Sequence, residues 1–176
     1  MSQLIFENGP TNTPAKLPNI VFLDIDGVLC NPRACIAMGD IGGVFSYLDP
    51  VACMLVRRIC EEKDAKLVIS SSWRILYDRF SIQAILNAAC PKLGRYMFMD
   101  ERWCTPSHNG GDGFEFGRGR EIQSWIRNYS AEFNRFVILD DDSDMDPYMD
   151  SLVKCDTYNG IGFHEYQSAC KILKEE

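Results

Sequence analysis

The sequence predicts an α/β fold, a parallel sheet with helices on both faces, and three observations carry that prediction. Short apolar runs alternate with amphipathic stretches of helical period along the chain. Three of the apolar runs end in polar residues: Asp24 and Asp26 after "NIVFL", Ser70 and Ser71 after "AKLVI", and Asp140 and Asp141 after "RFVIL". The length of 176 residues, with 46% hydrophobic and 24% charged, suits one domain with a substantial core.

Residues 1–18 read as a polar, proline-containing lead-in, in which Leu4 to Phe6 has the pattern of a short edge strand. A buried strand follows at 19–24, then a loop carrying "GDIGG". In "DPVACMLVRRICEEK", Asp49 is a natural N-cap and Pro50 suits the first helical position. Val51, Leu55 and Ile59 recur every four residues beside Val56, which makes this an amphipathic helix. "AKLVISSSWR" gives a second strand, Lys66 to Ser70, ending in hydroxyls, and "SIQAILNAAC" a second helix.

Residues 104–119 are rich in glycine and read as a loop. The glycines of "GGDGFEFGRG" are spaced for neither a dinucleotide nor a Walker loop, so a flexible flap is expected there. "REIQSWIRNYS" sets Ile122, Trp125, Ile126 and Tyr129 on one helical stripe. "RFVILDDDSDMD" is an apolar strand running into carboxylates, "SLVKC" a candidate further strand, and "EYQSACKILKEE" a closing helix. With no internal repeat and no linker, residues 19–176 form a single expected domain.

A net charge of −7 argues against a broad basic face that grips duplex nucleic acid. No run of about eighteen apolar residues is present, and the N-terminus lacks a charged segment followed by an apolar one. Neither a membrane span nor a secretory signal is expected. Eight cysteines stand at 30, 35, 53, 60, 90, 104, 155 and 170 without a C-x-x-C pair, several in apolar or helical patterns. They read as reduced thiols in a cytoplasmic protein.

Two carboxylates two positions apart, Asp24 and Asp26, repel each other unless water or a cation separates them. Ligands of open parallel sheets bind at the carboxyl ends of strands. Carboxylates from two strands would meet there and suit a hard cation such as Mg²⁺. Gly27 lets the backbone turn sharply just after them. A calcium loop of the EF-hand type is excluded, because its glycine stands at position six and this one at four.

Singly, the remaining elements have plain readings. "DDDSDMD" alone would be a solvated turn, and Ser70–Ser72 alone would be helix caps. Arg74 suits a structural or a phosphate-binding role equally. Trp73, Trp103 and Trp125 read as core rather than stacking surfaces, with Trp103, in a loop, the exception, and His108 and His164 read as incidental.

The constellation resembles the haloacid dehalogenase superfamily. "FLDIDGVL" is similar to its first motif, "LVIS" to its second and "VILDDD" to its acidic fourth. The closer resemblance is to the small phosphatase-like domains of Swiss Army Knife RNA-repair proteins, through "SSSWR", an "RG-x-EI…W" helix start and "LDDD-x-DM", over roughly residues 19–160. It implies a Rossmann-like sheet. Neither the interval from Asp26 to Ser70 nor that from Arg74 to Arg118 holds an obvious cap domain, so a minimal cap or none is expected.

The resemblance also implies a Mg²⁺-dependent phosphatase. Asp24 would be the nucleophile and Asp26 the acid and base. The Asp24 carboxylate, the Asp26 main-chain carbonyl and Asp141 would hold the metal, with Asp140 ranked second. Ser70, with Ser71 as runner-up, would donate to the phosphoryl oxygens. The superfamily usually has Lys in its third motif; here Arg118, or alternatively Arg120, would supply that charge. Ser71, Arg74 and Arg120 complete the expected substrate contacts.

Residues 74–120 carry a charge of +2 while the remainder carries −9, and Tyr77, Tyr96, Trp103, Phe114 and Phe116 lie among them. Arginines interleaved with aromatics can clamp single-stranded bases. A phosphorylated nucleotide or nucleic-acid end, above all a 3′-phosphate, is the expected substrate, and no obligate protein partner is inferred. The alternatives are a sugar-phosphate phosphatase, a nucleotidyl or sugar-phosphate mutase, and a non-catalytic metal-binding regulatory module of the same fold. The intact pair Asp24 and Asp26 speaks against the last.

Overall fold

Four short apolar strands build the sheet: β1 (Asn19–Leu23), β2 (Ala65–Ile69), β3 (Phe136–Asp140) and β4 (Leu152–Lys154). They pair in the order β2-β1-β3-β4, and every pairing is parallel. The architecture comes from a computed structural model that describes residues 16–37, 39, 47–107 and 117–174. The strand expected at Leu4–Phe6, most of the "GDIGG" loop, His108, Phe114, Phe116 and most of the expected flap lie outside those residues.

β1 is buried along its whole length because it lies inside the sheet and is covered on both faces. Its side chains alternate between two cores. Val21 and Leu23 join Leu67, Ile69, Val137 and Leu139 on one face. That face is covered by α2 (Pro50–Glu62), α4 (Arg79–Ala89) and α6 (Phe163–Ile172), through residues such as Val56, Ile59, Ile82, Leu86 and Ala169. Ile20, Phe22, Val68 and Ile138 face the other way, onto α5 (Arg118–Tyr129), where Ile122 and Trp125 close the second core. The Trp125 ring meets Phe22 edge-on at 5.3 Å, and its indole N–H donates to Arg102 O at 3.1 Å.

The caps follow the sequence. Asp49 accepts from the Val51 and Ala52 amides, and Pro50 opens α2. Two short helices were not expected: α1 (Pro32–Ala37) and α3 (Trp73–Leu76). α5 also begins at Arg118, inside the stretch expected to be loop. The reason is a close approach: a Cβ on Gly119 would stand 2.2 Å from Asp146 O. The glycine therefore serves packing rather than flexibility. Since Ile82 and Leu86 belong to the main core, α4 is a layer of the sheet rather than a lid.

All eight cysteines are free, and six are buried. Among the described residues no helix is long and apolar enough to cross a membrane.

Candidate active site

Strand register brings the polar residues together. Leu23 stands level with Ile69 on one side and Leu139 on the other. Asp24, Ser70 and Asp140 therefore emerge side by side at the carboxyl end of the sheet. The ladder holds them there, with Ser70 N donating to Leu23 O and Asp24 N to Leu139 O, both at 3.0 Å. Alternation sends the Asp24 and Asp140 side chains to the same face as Phe22 and Ile138, the α5 side.

Arg118 meets them from the first turn of α5. Its Nη1 lies 2.6 Å from Asp24 Oδ1 and 2.9 Å from Asp140 Oδ2. The helix start is fixed from the loop after β3. Gly117, the N-cap residue, offers no side chain, and Asp144 Oδ2 accepts instead from Arg118 N at 2.8 Å. Asp144 O accepts from Gly119 N at 3.0 Å. A carboxylate at a helix N-terminus also favours the helix dipole.

Asp24, Asp140 and Asp141 each offer a carboxylate oxygen within 4.8 Å of the others. Gly27 makes this possible: its φ is +71°, and a Cβ there would stand 2.2 Å from Asp141 Oδ2. Burial pushes the Asp24 carboxyl above its usual range, although Arg118, the Ser71 hydroxyl and the Ile25 amide all oppose the shift. Burial, then the Asp24 charge, pushes Asp140 up to about 7, against the pull of Arg118. Burial works against the Arg118 charge too, but Asp24 and Asp140 outweigh it and hold the guanidinium above its usual value.

One guanidinium faces three carboxylates, so the cluster carries excess negative charge in a largely buried place. All the donors are hard oxygens. Both facts fit a divalent cation of the Mg²⁺ type.

The remaining expected residues take distinct positions. The Ser71 hydroxyl opposes the upward shift of Asp24 and accepts from Trp73 N at 3.4 Å, whereas Ser70 Oγ is buried without a hydrogen-bond partner. Arg74 is almost wholly buried and is committed to the protein, donating to Ser70 O, Ser71 O and Thr105 O and pairing with Glu121. Arg120 is exposed, with a 3.3 Å contact to Gln123. The Asp26 side chain is exposed, and its Oδ2 accepts from Trp73 Nε1 at 2.9 Å.

Trp73 and Asp144 were not singled out from the sequence as site residues. Both stand inside stretches that carried the resemblance, "SSSWR" and "LDDD-x-DM", and that was the available signal.

With this geometry in view, a family model described as "HAD domain in Swiss Army Knife RNA repair proteins" matches residues 20–165. No curated protein and no solved structure gives a significant match.

Proposed function

The chain belongs to the family of HAD domains in Swiss Army Knife RNA repair proteins, which supports a hydrolase, and on that premise we propose that it is a Mg²⁺-dependent phosphomonoesterase acting on nucleic-acid 3′-phosphates. The observation that carries the reading is Asp24: a buried carboxylate at a strand end, touched by Arg118 and clustered with Asp140 and Asp141.

An Asp24 oxygen attacks phosphorus while the bond from phosphorus to the leaving oxygen breaks. Asp26 gives that oxygen its proton, releasing the alcohol. Water then attacks the aspartyl-phosphate and passes its proton to Asp26. The bond from phosphorus to Asp24 breaks, and inorganic phosphate leaves. Arg118, paired with Asp24, and the Ser71 hydroxyl donate to the phosphoryl oxygens as charge spreads over them. Asp24, Asp140 and Asp141 would hold the cation, which when bound neutralises phosphoryl charge; the family resemblance adds the Asp26 main-chain carbonyl. Arg74 serves the site indirectly, by clamping the end of β2 to α5.

The nucleic-acid part of the reading draws on the family's description. Its test is hydrolysis of 3′-phosphorylated oligonucleotides, mononucleotides and sugar phosphates with Mg²⁺ and with a chelator, at two salt concentrations. The expected result is chelator-sensitive turnover, a preference for the oligonucleotides, and a KM that rises with salt. A clear preference for sugar phosphates, with a salt-independent KM for oligonucleotides, contradicts it.

A further inference from the structure

We propose that Tyr77, with Trp73, forms a stacking surface that selects a substrate whose leaving group carries a nucleobase. The inference rests on the assignment of Asp26 as proton donor. A general acid must lie within hydrogen-bond reach of the leaving oxygen, so the residues around Asp26 face the leaving group rather than the phosphate. On this chain the Asp26 carboxylate is held by the indole N–H of Trp73 at 2.9 Å. The Trp73 ring in turn packs against Tyr77, with centroids 5.5 Å apart and planes at 46°.

Tyr77 is 44% exposed, and the segment around it leaves other large apolar side chains in solvent beside Asp78 and Arg79. Ile75, Leu76 and Phe80 are exposed by 54%, 77% and 66%, an unusual density of apolar surface for eight consecutive residues. The Arg79 guanidinium lies 4.1 Å from the Phe80 ring centroid, so the strip ends in a cation held over an aromatic face. A flat, weakly polar ring finds several partners on such a surface, and base–aromatic stacking tolerates any sequence because every base has a π-face. Leaving-group chemistry and surface chemistry thus name the same occupant, the nucleoside that bears the phosphate.

Tyr77→Ala and Tyr77→Phe separate stacking from a structural effect. In wild-type protein, kcat/KM for a 3′-phosphorylated dinucleotide should exceed that for glycerol phosphate. Tyr77→Ala should reduce this ratio about tenfold, through KM rather than kcat, and Tyr77→Phe should restore it. Fluorescence anisotropy of a 5′-labelled, 3′-phosphorylated oligonucleotide reads the same surface without turnover, and Tyr77→Ala should weaken binding by a similar factor. If Tyr77→Ala binds the oligonucleotide as wild type does, or wild type does not bind it, the stacking surface is wrong. Binding that depends on Tyr77 in a protein without turnover would uphold the surface and overturn only the phosphatase reading.

Discussion

The indole nitrogen of Trp73 stands 2.9 Å from Oδ2 of Asp26, which ties the start of α3 to the loop after β1. A side chain that must protonate one oxygen and later accept a proton from water needs a fixed position. Trp73→Phe keeps an aromatic ring against Tyr77 while removing the indole donor together with some packing volume. It should lower kcat several-fold while leaving KM for the oligonucleotide close to wild type. Steady-state kinetics at saturating Mg²⁺ decide this; an unchanged kcat would mean that the bond does not serve the proton transfer.

Arg118 bridges Asp24 and Asp140, and its removal leaves two buried carboxylates facing each other. Arg118→Met should cost about 3–5 kcal/mol of stability in metal-free protein, the range for stripping one partner from a buried ion pair. Added Mg²⁺ should recover part of the loss, because a cation can replace the missing charge. Urea denaturation with and without Mg²⁺ measures both, and a loss below about 1 kcal/mol would show that the pair is not buried in solution.

Metal and protons compete for the same carboxylates. Burial raises Asp24, and burial with the Asp24 charge raises Asp140 to about 7, whereas an unfolded Asp titrates near ~3.9. These two groups thus bind protons more readily in the folded metal-free chain than in the unfolded one, and their contribution to stability falls as pH rises from about 4 to about 7. The increase in melting temperature given by Mg²⁺ should therefore grow between pH 5 and pH 8. An equal increase at both would place the cation elsewhere.

Arg74 binds four acceptors on three segments, and only a planar guanidinium can reach them together. Arg74→Lys should destabilise the fold by about 3 kcal/mol, with KM of the folded enzyme little changed. A raised KM with normal stability would instead mark a phosphate contact. The measurement pairs thermal unfolding with kinetics on one protein preparation.

The sequence made legible what periodicity governs. Apolar runs ending in Asp24, Ser70 and Asp140 announced parallel strands, and register then placed those residues side by side. Periodicity stops at a strand end, and the readings weakened there. Ser70 follows the last residue of β2, after which the chain turns into α3, so Ser70 Oγ is buried while Ser71 Oγ accepts from Trp73 N at the start of that helix. Trp73 looked like core because part of it is core; only the direction of its N–H revealed its link to Asp26. The glycines of "GGDGFEFGRG" read as flexibility, but Gly119 lies in the first turn of α5 and is needed for the close approach of Asp146. Contacts between segments far apart in sequence decide such cases, and no local pattern records them.

The central claim is that Asp24 carries the phosphoryl group. Wild-type protein quenched in acid during turnover of a ³²P-labelled 3′-phosphorylated oligonucleotide should retain label on the peptide that contains Asp24. Hydroxylamine should release it, and Asp24→Asn should show neither label nor turnover while remaining folded. Near-normal turnover by Asp24→Asn, or label on any other residue, would contradict the account.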